Sequence, residues 1–123
     1  MKIARALDDL RAGHRGCDLV AFGDLGTRLV LRSSCDATRP QEFFDQLCSQ
    51  AARAFALSDG LPRPEGQEAG DEVVVLTPLD TRVFVRSAGD GSDFIGCIGD
   101  DDLHTGDMAK AGAAILADSA VTP

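Results

Sequence analysis

Between Asp100 and Asp107 the chain sets four acids and a histidine close together: Asp100, Asp101, Asp102, His104 and Asp107. Carboxylate oxygens are hard donors, and such a cluster can hold Mg²⁺ or Ca²⁺ weakly. The spacing is not that of an EF-hand loop, and the closing Glu is missing. The simpler reading makes these residues solvated acids at a helix start, where negative charge meets the positive end of the helix dipole. No metal and no cofactor is expected. The remaining catalytic inventory is thin: two histidines, and no nucleophile elbow, P-loop or dinucleotide fingerprint. The GDGSD run within Ala88 to Asp93 lacks the lysine and the following helix that a phosphate loop needs, so it reads as a hairpin turn.

The four cysteines, Cys17, Cys35, Cys48 and Cys97, form no CxxC pair, and neither His14 nor His104 stands at metal-finger spacing from them. Cys17, Cys48 and Cys97 sit in apolar patterns and read as small buried hydrophobes. Cys35 falls in a polar stretch, SSCDAT, and is the candidate for an exposed, reactive or disulfide-forming thiol. Four arginines, Arg28, Arg32, Arg82 and Arg86, are expected on strands two and four and on a partly wet face. They can meet an acidic partner or pair locally with Asp and Glu, and local pairing is the favoured reading. An arginine acting in trans on a GTPase is open in principle, but nothing selects one of the four.

These residues need a scaffold, and the longest amphipathic stretch supplies its centre. In Thr38 to Leu57, Phe43, Phe44, Leu47, Cys48, Ala51, Ala52 and Phe55 recur at the spacing of one helix face, while Gln41, Glu42, Asp45, Gln46, Ser49, Gln50 and Arg53 take the other. Thr38 is the expected N-cap, with Gln41 able to close a capping box and Pro40 in the first turn. A short helix is expected over Lys2 to Ala12, ended by Gly13. Alternation predicts strands at Gly16 to Gly23, Thr27 to Ser33, Asp71 to Pro78, Arg82 to Ser87 and Phe94 to Gly99, with a turn at Gly23 to Gly26. An Ala-rich helix capped by Asp102 or Thr105 runs to about Ser119. Segment 58–70 reads as a mobile surface loop.

With 123 residues, 44% of them hydrophobic, the chain suits one globular domain, 1–123. Its net charge of -8 argues against nucleic acid and against an anionic membrane surface. No apolar run approaches the roughly 20 residues that span a bilayer. The opening MKIARALDDL has Asp8 and Asp9 where a signal peptide needs an unbroken apolar stretch, so the expected location is cytoplasmic. The expected architecture is α+β in the order α-β-β-α-β-β-β-α: a five-stranded antiparallel sheet, the long helix on one face and the two terminal helices on the other.

That order, with LDDL at Leu7 to Leu10, the acidic-glycine turn at Asp24 and Gly26, the long helix, the hairpin Val73 to Arg86, the strand FIGCIG and the closing Ala-rich helix, resembles the roadblock/LC7 family, a relative of longin and profilin-like folds. The resemblance implies strand order 2-1-5-4-3. It implies a homodimer, or a heterodimer with a paralogous roadblock-like subunit, that pairs the third strands and packs the long helices. The interface would then hold Phe43, Leu47 and Ala51 with Glu72, Val73, Val74 and Val75. It further implies a non-enzymatic, regulatory or scaffolding role toward a small Ras-like GTPase. A rival reading is a small-molecule-binding sensory module of profilin/PAS-like fold, which needs a pocket between sheet and helix.

Overall fold

The computed structural model describes residues 3–67, 70–89 and 91–121. Lys2, Glu68, Ala69 and Asp90, on which parts of the first-helix, 58–70 loop and GDGSD expectations fall, lie outside them. The elements follow in the expected order: α1 (Ile3–Ala12), β1 (Cys17–Asp24), β2 (Leu29–Cys35), α2 (Gln41–Asp59), β3 (Glu72–Leu76), β4 (Thr81–Arg86), β5 (Asp93–Gly99) and α3 (Thr105–Val121). All strand pairings are antiparallel and the sheet order is β2-β1-β5-β4-β3.

Strand alternation divides the core into two layers. Leu19, Ala21, Phe84, Phe94 and Ile98 point to one face and bury Leu47, Cys48, Ala51 and Phe55 of α2. Val20, Val83, Val85, Ile95 and Cys97 point to the other and bury Leu7 and Leu10 of α1 with Met108, Ala109 and Leu116 of α3. The central strands β1 and β5 are apolar on both faces because both are covered. Gly96 makes room for the Phe84 ring beside β5, where a methyl group would come within 3.1 Å of it.

Three local expectations need correction. The long helix begins at Gln41, and its N-cap position is Pro40, with no side-chain cap bond. A residue preceding proline is pushed out of the helical region, so the helix does not reach back to Thr38. Gln41 bonds forward to Asp45 at 3.0 Å instead of closing a capping box. At the other end α2 runs on to Asp59, so Asp59 belongs to a helix and not to the loop. Finally, β2 starts at Leu29, because the Asp24 carboxylate accepts from Gly26 N–H and Thr27 Oγ1 and prolongs the turn.

Candidate partner-binding surfaces

The four arginines separate into two kinds. Arg82 donates from Nε and Nη2 to Asp80 at 2.9 and 3.2 Å, and from Nη1 to Gln50 of α2 at 2.8 Å. Arg86 donates from Nη1 and Nη2 to Asp59 at 3.0 and 2.7 Å, from Nε to Asp71 at 3.2 Å and from Nη2 to the Gly70 carbonyl at 3.1 Å. Its guanidinium lies 4.7 Å from the centroid of Phe55. Both side chains are therefore spent on joining β4 to α2 and to the ends of β3. Hydrogen bonds from Arg86 hold the Asp59 carboxyl below its ordinary range. Burial works to raise Asp80, but the bonds from Arg82 and Thr77 outweigh it and leave that carboxyl lowered as well.

Arg28 and Arg32 differ. Arg28 lies in the turn before β2, not in the strand, and carries a left-handed φ of 61°. Arg32 pairs with Phe22, and Val30 with Gly23, across a register shift in the β1–β2 ladder. Phe22 and Gly23 face opposite sides, so Val30 and Arg32 do too, contrary to the even alternation expected. Both arginines are exposed and have no salt-bridge partner among the described residues. Leu29 and Leu31 beside them are about half exposed.

The other sheet edge is plainer. In β3 exposure alternates strictly: Val73 and Val75 are half-buried over the α2 layer, while Glu72, Val74 and Leu76 stand open on the opposite face. Pairing with β4 runs in unbroken register from Glu72↔Val85 to Leu76↔Thr81. The far side of β3 has no neighbouring strand. Of the helix residues assigned to an interface, Leu47 and Ala51 are buried against this chain's own sheet and have no surface to offer a partner. Their apolar spacing reflects an intramolecular core. Phe43 is half-buried, edge-on to Phe44, with Arg39 5.1 Å from its centroid. The exposed side of α2 carries Glu42, Asp45, Gln46 and Arg53, with Leu57 open near its last turn.

The acidic segment is not a ligand set. Asp100 accepts the Asp102 N–H at 2.8 Å, and His104 pairs with Asp107 at 3.6 Å, both exposed. No group of three metal-ligating side chains converges among the described residues. Cys48 and Cys97 are buried, and Cys17 is half-buried. Burial pushes Cys17 and Cys48 up to about 11, and Cys97 upward as well. Cys35 ends β2, half-buried against the α2 layer, so it is not a loop residue. The space between α2 and the sheet, where a sensory pocket would lie, holds Leu47, Phe55, Phe84 and Phe94. Sequence reasoning missed Ser34, which is buried, donates to Asp8 at 2.5 Å and accepts from Arg11 at 2.8 Å, fastening α1 to β2. A serine at an inward strand position, opposite Val20, was the available signal.

Sequence comparison matches the chain to no family model and to no curated protein. Solved structures do match it along its whole length. A roadblock/LC7 domain from Streptomyces avermitilis superposes with a TM-score of 0.76 at 12% identity, covering 98% of this chain and 97% of that one. MglB from Myxococcus xanthus superposes at 0.74 with 16% identity, covering 100% and 98%. Profilin from Schizosaccharomyces pombe superposes at 0.62 with 12% identity, covering 99% and 100%. The fold is thus of the roadblock/LC7 type, as the element order and its landmarks had led us to expect. At these identities the likeness establishes the fold and nothing finer. No helix among the described residues is long and apolar enough to cross a membrane.

Proposed function

We propose that the chain is a non-enzymatic regulatory module that dimerises edge to edge through β3 and binds a small Ras-like GTPase. The observation that carries the dimer is the β3 edge. It is valine-rich, in clean register with β4, and free of bulge and proline. Such an edge is a template for another strand unless something protects it. The contrast with β2 supports this choice, since β2 carries the protective devices: a register shift, a left-handed turn residue and exposed arginines. Glu72, Val73, Val74 and Val75 then line the joint, with the exposed side of α2 and Phe43 nearby in place of Leu47 and Ala51. A paralogous subunit of the same fold fits the same edge.

The GTPase reading rests on the roadblock-like fold. Arg28 and Arg32, unpaired and flanked by Leu29 and Leu31, are the arginines that remain able to meet an acidic partner. The test is to mix the chain with small GTPases of its source, loaded with GDP or with a non-hydrolysable GTP analogue, and to follow co-elution. Binding that depends on the nucleotide supports the reading. Binding to neither form contradicts it.

A further inference from the structure

We propose that the uncovered face of β3, in the angle between that strand and α3, is a docking groove for a basic amphipathic helix of another protein. The argument begins with widths. Strands lie about 4.8 Å apart and a helix is about 10 Å across, so each helix covers roughly two strands. On this face α1 packs over β1 and β2, and α3 over β4 and β5. Four of five strands are then covered, and β3 is left over. Its residues toward this side, Val74 and Leu76, are 47% and 76% exposed, and Leu79 in the following turn is 92% exposed.

The wall of the groove is α3. Ala113, Leu116 and Ala117 join Val85 and Glu72 around a cleft of about 450 Å³ at the Glu72 end of the strand, which Arg86 and Ser87 also line. Ala111 and Ile115, on the other flank of α3, pack into the core layer that includes Ile3 of α1. The exposed members of the groove-side wall, Ala113 and Ala117, are small and Leu116 between them is buried, so a second helix can approach it closely. Apolar floor and narrow wall together suit the apolar stripe of a helix.

Charge selects the occupant. At one end of the strip stand Glu72 and Asp71, the latter shared with Arg86. At the other, Pro78 and Leu79 share a shallow depression with Asp100, Asp101 and Asp102, all three acids exposed. Lys110 is exposed on the outer side of α3 and is outnumbered by these carboxylates. A second copy of this face would set carboxylates against carboxylates, which disfavours self-association here. A helix with a central apolar stripe and lysine or arginine at both ends meets every part of the surface. The groove shares Glu72 and Val74 with the proposed joint, but it uses their side chains on one face of β3 and not the backbone edge.

The test uses the full chain and a dye-labelled designed peptide of about 17 residues, long enough at about 1.5 Å per residue to span the strip. It carries a leucine stripe with lysines at both ends. A second peptide replaces the lysines by glutamate, and a third replaces the leucines by serine. Saturable binding of the first peptide alone is expected. Leu76→Glu and Ala113→Arg should each weaken it by at least about tenfold while circular dichroism and melting show a folded chain. Arg5→Ala, exposed on α1 over the opposite edge of the sheet, should leave it unchanged. The proposal is overturned if the first peptide shows no saturation up to about 1 mM. It is equally overturned if both groove variants bind it as well as the parent, which would mean diffuse attraction to an acidic protein.

Discussion

Arg86 closes both terminal nitrogens on the carboxylate of Asp59, at 2.7 and 3.0 Å, from a strand on one side to the last turn of α2 on the other. That turn carries an acid and no basic residue of its own, at the helix end where the dipole is negative. Arg86 supplies the missing cation, and Arg63 adds to it by donating to the Ser58 and Asp59 carbonyls. The pair therefore orders the path from α2 into β3, the strand on which the proposed dimer depends.

The pH dependence of that pair has a definite sign. Asp59 is lowered in the folded chain by its hydrogen bonds from Arg86. A depressed carboxyl contributes stability that is fully present above its unfolded value, about 3.9, and is lost as pH falls through the lower folded value. The urea midpoint of Asp59→Asn should lie below that of the parent at neutral pH, and the gap should close in the acid range. A gap that stays constant down to pH about 2 would contradict the account.

Arg86→Ala removes the carboxylate bonds and the contact with Phe55 together. We expect a loss of about 1–2 kcal/mol in urea unfolding, a range set by a partly shielded cation–π contact plus a half-exposed ion pair. Arg32→Ala, with no ion-pair partner among the described residues, should change stability by less than about 0.5 kcal/mol. Equal effects of the two would show that Arg86 is not a structural tie.

Leu47 separates core from interface. Its side chain is 1% exposed in the single chain, so Leu47→Ala should cost about 2–5 kcal/mol, whatever the protein concentration. A loss that appears only at dilution would return Leu47 to the dimer joint.

Two glycines should respond with opposite signs. A methyl group on Gly99 would lie 2.3 Å from the Gly16 carbonyl oxygen, so Gly99→Ala should cost about 2–4 kcal/mol. Gly106, in the first turn of α3, has nothing within 4 Å, so Gly106→Ala should gain about 0.5 kcal/mol from a less flexible unfolded chain. Thermal melts of both decide the matter. A destabilised Gly106→Ala would mean that this turn is not open as described.

Thiol labelling at pH 8 should pass over the core. With Cys48 pushed up to about 11, only about one part in a thousand is thiolate at that pH, and the group is buried besides. Cys97 should be equally inert, and Cys35 should label first. Mass spectrometry of the labelled, native chain tests this. Labelling of Cys97 at the unfolded rate would contradict the packing of β5.

How far the sequence reveals all this depends on the kind of information each feature needs. The strand faces were legible because alternation is local: Val83 and Val85 part from Arg82, Phe84 and Arg86 by period alone. The start of β2 was not, because it depends on an Asp24 carboxylate curling over its own turn and on Arg28 taking a left-handed conformation that its residue type does not announce. The register shift then moved Val30 and Arg32 to opposite faces, a difference invisible in composition. The partners of Arg86 lie 27 and 15 positions away in the chain, so no window could find them. Val74, expected at an interface, and Leu76 are apolar strand residues, and the placement of α3 over β4 and β5 leaves them uncovered. The interface assignment of Leu47 and Ala51 came from the family resemblance, and their burial in a single chain is what corrects it.

The central claim is that β3 is a joining edge, and solution mass by light scattering near about 1 μM, with and without reductant, tests it most directly. The account predicts twice the mass of the single chain in both conditions. A single-chain mass in both would contradict the homodimer, and a dimer lost on reduction would move the joint from β3 to Cys35.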